Sequence, residues 1–469
     1  MRRSGRAAVA AVVLMALFSG GCTGGGAAAG GSEFRAGAAG IGDPYFPTYG
    51  NGGYDVASYH LKVRFDPASG RLDGTATITA TTTQGLSRFN LDLSGLRATS
   101  VTVDGTTARH RADGDELVIT PASGLAKDRR FVVEVEYGGD PRPIANDALG
   151  EGGFLRGPNG AVAVGQPESA STWFPVNDHP VDKATYEFEI TVPEGLVALS
   201  NGVPGGTTTA DGWTTWKWSE RHPMASYLAT VVIGDYRVRA GTHNGKPLVT
   251  AVAASLPVKG DGEVAMARTG EIADFLATQF GPYPFDAYGG IVIDDNRVRF
   301  ALETQSRPVY SPVFFDRGPN TWVVAHELAH QWFGNSVSVR HWSELWLNEG
   351  FATYAEWLWS EQDTGRPVGE SFAEEYARTD WARPAVDPGP ADMFGRAVYK
   401  RGALVVHALR LTVGDEAFFR IVQTWTAEKR DGNVTTDDFI EHAERVSGER
   451  LRDFFRDWLS GTTPPPIPG

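Results

Sequence analysis

The sequence is short of sulfur. Its single cysteine, Cys22, cannot close an intrachain disulfide or build a cysteine-based zinc site, so stability must come from core packing and any metal must be held by His and carboxylates. Positive charge is also scarce: 43 Lys and Arg stand against 57 Asp and Glu, for a net charge of −14. That balance argues against a nucleic-acid-binding protein and disfavours acidic partners. Long apolar runs are missing too. The stretch from Ala7 to Phe18 falls short of the roughly 20 residues that hydrocarbon requires, and no later run approaches that length. What is present is the mixture of a folded globular chain, 41% hydrophobic and 21% charged, whose 469 residues accommodate two or three domains.

The amino terminus reads as an address. Arg2, Arg3 and Arg6 precede the apolar stretch, and Ser19-Gly20-Gly21 leads into Cys22, the order of an export signal. It resembles bacterial lipoprotein signals, with Ser19 where that family prefers Leu. The resemblance implies a signal peptide over 1–22, lipidation of Cys22, and membrane contact only through that anchor at the cell surface. A secreted protein with a spectator cysteine is the alternative. Residues 23–45 are expected to be a flexible tether, since 23–32 hold only Gly, Ala, Ser and one Thr.

Two periodicities divide the remainder. From Tyr54 to about Arg239 apolar residues alternate with polar ones, as in Tyr59, Leu61, Val63 and Phe65, which predicts strands. Asp73-Gly74, Asp104-Gly105, Asp113-Gly114, Asn201-Gly202 and Asp211-Gly212 punctuate them with turn-forming dipeptides. Beyond Gly260 apolar residues recur at three and four, predicting helices over Val264–Gln279, Thr321–Phe333, Leu345–Ser360, Gly402–Thr412 and Asp437–Arg445. The expected architecture mixes α and β: an antiparallel, sandwich-like β domain over 46–240, a mainly helical domain over 241–461, and a Pro-rich tail over 462–469.

In TWVVAHELAHQWF, His326 and His330 are four apart, so on a helix both imidazoles project from one face and can hold a single zinc ion. Glu327 lies roughly 100° round the axis. That sets its carboxylate beside the metal, where it can take a proton from a zinc-bound water and pass it to a leaving amine. With eighteen residues intervening after His330, NEGFATY supplies Glu349 as a third ligand on the following helix. Gly334-Asn335 is expected to end the first helix and Ser343 to cap the second. A fourth position left open to water distinguishes a catalytic zinc site from a structural one.

The segments VAHELAHQWFGN and LWLNEGFATY resemble the zinc aminopeptidases of the aminopeptidase N and leukotriene hydrolase type, the gluzincins. WFPVNDHPVDKATYEFEITVP (Trp173 to Pro193), FGPYPF (Phe280 to Phe285) and AVYKRGALVVHALR extend the resemblance in the family's order. It implies an amino-terminal β domain on a thermolysin-like catalytic domain, one zinc per chain, and peptide substrates with a free N-terminus. It also implies that Glu303, in FALET, and Glu168, in GQPES, bind the substrate's α-amine with Gln166 alongside. Two carboxylates near an ammonium form a clamp that a blocked amine would leave desolvated and unpaired. Phe300, Leu302 and Thr304 replace the family's usual loop residues around Glu303. Tyr399 matches the tyrosine that donates a hydrogen bond to the developing oxyanion. Many relatives carry a further large helical domain, and only a few helices are expected after Tyr399, which implies a more open cleft.

Overall fold

Alternating patterning builds the first half of the molecule. Along the strand Tyr54–Asp66, Tyr54, Val56, Tyr59, Leu61, Val63 and Phe65 point inward. The three-residue step from Val56 to Tyr59 is absorbed by a bulge against Arg71–Thr82, which keeps the apolar set on one face. This strand lies inside an eight-stranded sheet, ordered Val203–Ala210, Trp213–Met224, Ala184–Pro193, Tyr54–Asp66, Arg71–Thr82, Arg130–Gly139, Arg97–Val103, Thr106–Thr107. Its neighbours run antiparallel except for Ala184–Pro193 beside Tyr54–Asp66, which is parallel. A parallel pair needs a long crossover, and the intervening chain supplies it while also building strands of two smaller sheets.

The computed structural model describes residues 34–146 and 149–469. Cys22, the expected signal sequence and the expected tether as far as residue 33 lie outside the described residues. From Phe34 onward the segment expected to be tether is ordered: Arg35–Ala36 pairs with Leu86–Asp92, and Asp43 is buried. The strand pairing and the bonds of Asp43 to His179 and Trp342 join residues distant in sequence, so no local pattern announced them. Asp104-Gly105 and Asp211-Gly212 do form turns at positive φ (50° and 72°; 52° and 75°), whereas Asp73-Gly74 sits within a strand. A Cβ on Gly74 would lie 2.5 Å from the Tyr137 ring, so this glycine makes room for a neighbour instead of turning the chain.

The hairpin Tyr236–His243 and Lys246–Ala253 is part of the next sheet, with Tyr288–Val292, Val309–Tyr310 and the edge strand Ala301–Leu302. The second domain therefore begins a few residues before 241. Strand periodicity runs through that boundary, so the sequence marked the first helix instead of the domain edge. The helices are α1 (Asp261–Met266), α2 (Thr269–Phe280), α3 (Thr321–Ala329), α4 (Trp346–Thr364), α5 (Val368–Arg378), α6 (Gly402–Val413), α7 (Asp415–Glu428), α8 (Thr436–Ser447) and α9 (Arg452–Ser460). The single helix expected over Val264–Gln279 is thus two, broken at Arg268. In the Pro-rich tail Pro465 is buried, and its carbonyl accepts from the Tyr376 hydroxyl at 2.6 Å.

Hydrogen bonds lock the two domains together. Fully buried Arg307 donates to the carbonyls of Ser200 and Gly202, and Asn201 Nδ2 donates to the carbonyl of Gln305 at 2.9 Å. Lys183 Nζ reaches the carbonyls of Asn335 (2.8 Å) and Ser336 (2.9 Å), in the loop that follows α3.

Candidate metal centre and active site

Asn320 caps α3 by accepting from the backbone N–H groups of Trp322 and Val323. The helix ends at Ala329, earlier than the expected Gly334-Asn335, with His330 at its cap still in helical conformation (φ −57°, ψ −23°). The i,i+4 relation therefore survives the helix end, and the His326 and His330 rings lie 4.8 Å apart. The turn Trp342–Glu344 leads into α4, where Leu345 occupies the position expected for Ser343, and Glu349 enters the first turn.

Glu349 Oε2 lies 3.2 Å from His326 Nε2 and 3.4 Å from His330 Nε2. Ligands about 2.05 Å from a tetrahedral zinc are separated by about 3.3 Å, and both distances from Glu349 match such an edge, with all three donor atoms within 4.8 Å of one another. The opposite ring nitrogens are engaged: His330 Nδ1 donates to the Phe333 carbonyl (3.0 Å), and His326 Nδ1 lies 2.7 Å from Glu356 Oε1. With Nδ1 of each ring turned to those acceptors, Nε2 of each is the atom that would face a metal once its proton is displaced. The donor set fits zinc, and His326, His330 and Glu349 are the residues that would hold it. Lys400 Nζ sits 3.5 Å from Glu356 Oε2. Glu356 is seven residues after Glu349 on α4, two turns along the same face, a spacing from which it could have been found.

Around these donors lies a cavity of about 340 Å³ lined by Gln166, Phe300, Ala301, Glu303, Glu327 and Tyr399 among others. Glu303 follows directly on the edge strand Ala301–Leu302, and its backbone carbonyl accepts from Asn335 Nδ2 (2.7 Å) and Gln331 Nε2 (3.2 Å). Its carboxylate accepts from Tyr227 (3.0 Å) and Gln166 (3.4 Å). Glu303, Glu327 and His330 offer atoms within 4.8 Å of one another. Of the three altered loop residues, Phe300 lines the cavity, Leu302 is buried, and Thr304 bonds the Arg307 carbonyl. Glu168 lies apart, on a neighbouring cavity of about 380 Å³ that shares Gln166. Its Oε1 accepts from Trp342 Nε1 at 2.7 Å, and its Oε2 has no hydrogen-bond partner among the described residues. Tyr227, Asn335, Gln331 and Trp342 carried no sequence signal, because each acts on a residue far away in the chain.

Charge in this cluster is tightly balanced. Burial opposes ionisation of Glu349, yet the two imidazoles overcome it and hold the carboxyl below its ordinary range. Burial pushes Glu327 up, and the carboxylates of Glu303 and Glu349 add to that against the pull of the histidines. Burial first, then Glu349, Glu303 and Glu327, keep the Tyr399 phenol protonated. Its ring is stacked parallel to His326, with centroids 6.1 Å apart.

The tyrosine and the third donor are linked through glycine. Tyr399 sits in the turn Ala397–Arg401 that precedes α6, and Gly402 meets Gly350, the neighbour of Glu349. A Cβ on either glycine would lie 2.8 Å from backbone atoms of the other. Only glycine at both positions permits this approach.

A His-Glu-x-x-His helix, a glutamate from the next helix and a covering β domain define a two-domain metallopeptidase fold. The chain belongs to peptidase family M1. Residues 265–458 match the peptidase family M1 domain and residues 56–228 the peptidase M1 N-terminal domain. The M1 zinc metallopeptidase of Deinococcus radiodurans is 30% identical with TM-score 0.83, over 92% of this chain and 99% of that one. A variant of it bound to the substrate Tyr-Ser-Ala superposes with TM-score 0.84, also at 30% identity, over 92% and 99%. Aminopeptidase N of Homo sapiens is 30% identical over 390 residues, covering 73% of this chain and 40% of that protein. Aminopeptidase M1-B of Oryza sativa subsp. japonica is 29% identical over 447 residues, covering 86% and 49%. The chain thus spans about half the length, or less, of these two curated relatives.

Proposed function

We propose that the chain is a zinc-dependent aminopeptidase that removes the first residue from peptides with a free N-terminus, using one zinc per chain. The carrying observation is the closeness of Glu303 to Glu327 and His330, with atoms of all three within 4.8 Å. A peptide's α-nitrogen and first carbonyl carbon are two bonds, roughly 2.5 Å, apart. A carboxylate that holds the ammonium so near the metal donors leaves space for one residue before the cut. The Deinococcus relative's complex with a tripeptide agrees with this substrate class.

Zinc, when bound, lowers the pKa of a water toward about 7 and polarises the carbonyl it faces. Glu327 takes the proton from the attacking water and hands it to the leaving amine, a duty suited to a carboxyl whose pKa burial has raised. The Tyr399 hydroxyl donates to the oxyanion as the carbonyl becomes tetrahedral. Glu303 and Gln166 hold the ammonium, and Glu168 completes the clamp from the adjoining cavity. The test is one peptide with a free and with an acetylated amino terminus, followed by mass spectrometry with and without a chelator. Stepwise loss from the free peptide alone, abolished by chelation, is expected; internal cleavage of both peptides would discard the roles of Glu303 and Glu168.

We also infer export and anchoring by a lipid on Cys22, supported by the basic and apolar segments before it. Cys22→Ser should move the protein from the membrane fraction to the medium. An unchanged distribution would favour plain secretion.

A further inference from the structure

Two residues beyond Tyr399, the cation Arg401 is 0% exposed. A guanidinium carries five N–H donors, and here all of them are turned to main-chain carbonyls, which leaves none for a carboxylate. Nε donates to Trp458 (2.7 Å), and Nη1 to Trp381 (3.0 Å) and Arg383 (2.6 Å). Nη2 donates to Gly461 (2.7 Å) and, at the limit of a hydrogen bond, to Asp457 (3.5 Å). The Trp381 ring lies against the group, with its centroid 5.0 Å from Cζ.

The acceptors belong to two segments. Asp457 and Trp458 are in the last turn of α9, and Gly461 follows it. A helix leaves its final carbonyls without partners of its own, at the negative end of its dipole, and a buried cation answers both needs. Leu459, in the same turn, accepts from the Ala385 N–H at 2.9 Å. Trp381, Arg383 and Ala385, in the stretch after α5, are thereby fastened to the same helix end.

Arg401 also closes the turn that carries Tyr399. There the Gly402 N–H returns to the carbonyls of Ala397 and Tyr399, and the first of these bonds spans five residues instead of the four of an α-helix. Turns this wide are rare, and single ones occur mostly at functional sites. The Tyr399 ring is half buried on the wall of the catalytic cavity, so the reach of its hydroxyl follows its main chain, which Arg401 anchors two residues on.

We propose that Arg401 is a positioning residue for Tyr399, and that through it the end of α9 sets where the phenol stands. The proposal rests on the aminopeptidase reading, in which that phenol donates to the oxyanion. A donor displaced by a fraction of an ångström leaves zinc and substrate binding intact but meets the oxyanion poorly, so the loss falls on kcat.

The experiment is a double-mutant cycle on the full chain, loaded with zinc, with leucyl p-nitroanilide as substrate. Arg401→Lys keeps the charge but offers three donors to five carbonyls. It should lower kcat roughly tenfold with KM and zinc content unchanged. In the Tyr399→Phe background, where no phenol remains to be misplaced, the same change should lower kcat by less than about twofold. An equal factor in both backgrounds, or an unmoved kcat beside an intact Tyr399, would overturn the proposal, because a merely structural residue acts alike with and without the phenol. If Arg401→Lys melts below the assay temperature, Trp381→Leu carries the same test, since it removes the ring against the guanidinium and keeps the carbonyl. It should lower kcat about threefold beside Tyr399 and hardly at all in the Tyr399→Phe background. No turnover by the zinc-loaded wild type would remove the aminopeptidase reading and the proposal with it.

Discussion

Zinc loading should release protons, and the structure says how many. Burial works against a charged His330, but the carboxylates of Glu349 and Glu303 overcome it and hold its pKa at about 9 in the metal-free chain. His326 is likewise raised well above its ordinary value: burial opposes the charge, and hydrogen bonds to Glu349 and Glu356 prevail. At neutral pH both imidazoles therefore carry a proton that a metal must displace, so affinity rises with pH. At pH 7, two units below that pKa, removing the His330 proton costs about 3 kcal/mol. With two protons displaced, apparent affinity should climb about a hundredfold per pH unit between roughly pH 6 and 8, then about tenfold per unit once His330 has lost its proton unaided. Unperturbed imidazoles, with pKa about 6.5, would flatten the curve above roughly pH 7.5. Calorimetric zinc titrations in buffers of different ionisation enthalpy count the protons directly. About two released per zinc at pH 7.5 is the expected result, while fewer than about one, with affinity flat from pH 7.5 to 8.5, would refute the charge balance drawn from Glu349, Glu303 and Glu356.

Glu327→Gln removes the proton carrier but none of the three metal donors, so kcat should fall by about 10²- to 10⁴-fold while zinc content by elemental analysis stays at one. Turnover at the wild-type rate would take Glu327 out of the mechanism. Tyr399→Phe deletes the oxyanion donor and should lower kcat by about 10²- to 10³-fold with KM little altered. A change confined to KM would make Tyr399 a binding residue.

The metal donors were legible because their geometry is local: His326 and His330 share a helix face at any helix, and the eighteen intervening residues form a hairpin back to Glu349. The β domain was legible for the same reason, since alternation is a property of neighbours. What escaped depends on distant partners. The tethering of Asp43 to Trp342 spans 299 positions, and the link from Trp342 to Glu168 spans 174. Trp342 is the donor that holds that glutamate, and nothing near it in the sequence points to Glu168. Asp73-Gly74 misled because a dipeptide that tolerates a turn is equally what a strand needs where Tyr137 crowds it. The parallel pairing of Tyr54–Asp66 with Ala184–Pro193 likewise has no signature in either segment, both of which alternate as any half-buried strand does.

The meeting of Gly350 with Gly402 has a mechanical meaning. Slack in a protein joint comes from side chains that change rotamer, and at this crossing main chain rests on main chain. Glu349 and Tyr399, one step from the crossing on α4 and three before it on the other strut, are therefore held at a span that warming or repacking elsewhere does little to stretch. Any widening of the cleft to admit a bulkier peptide has to come from its outer walls, with the working pair at a fixed gauge.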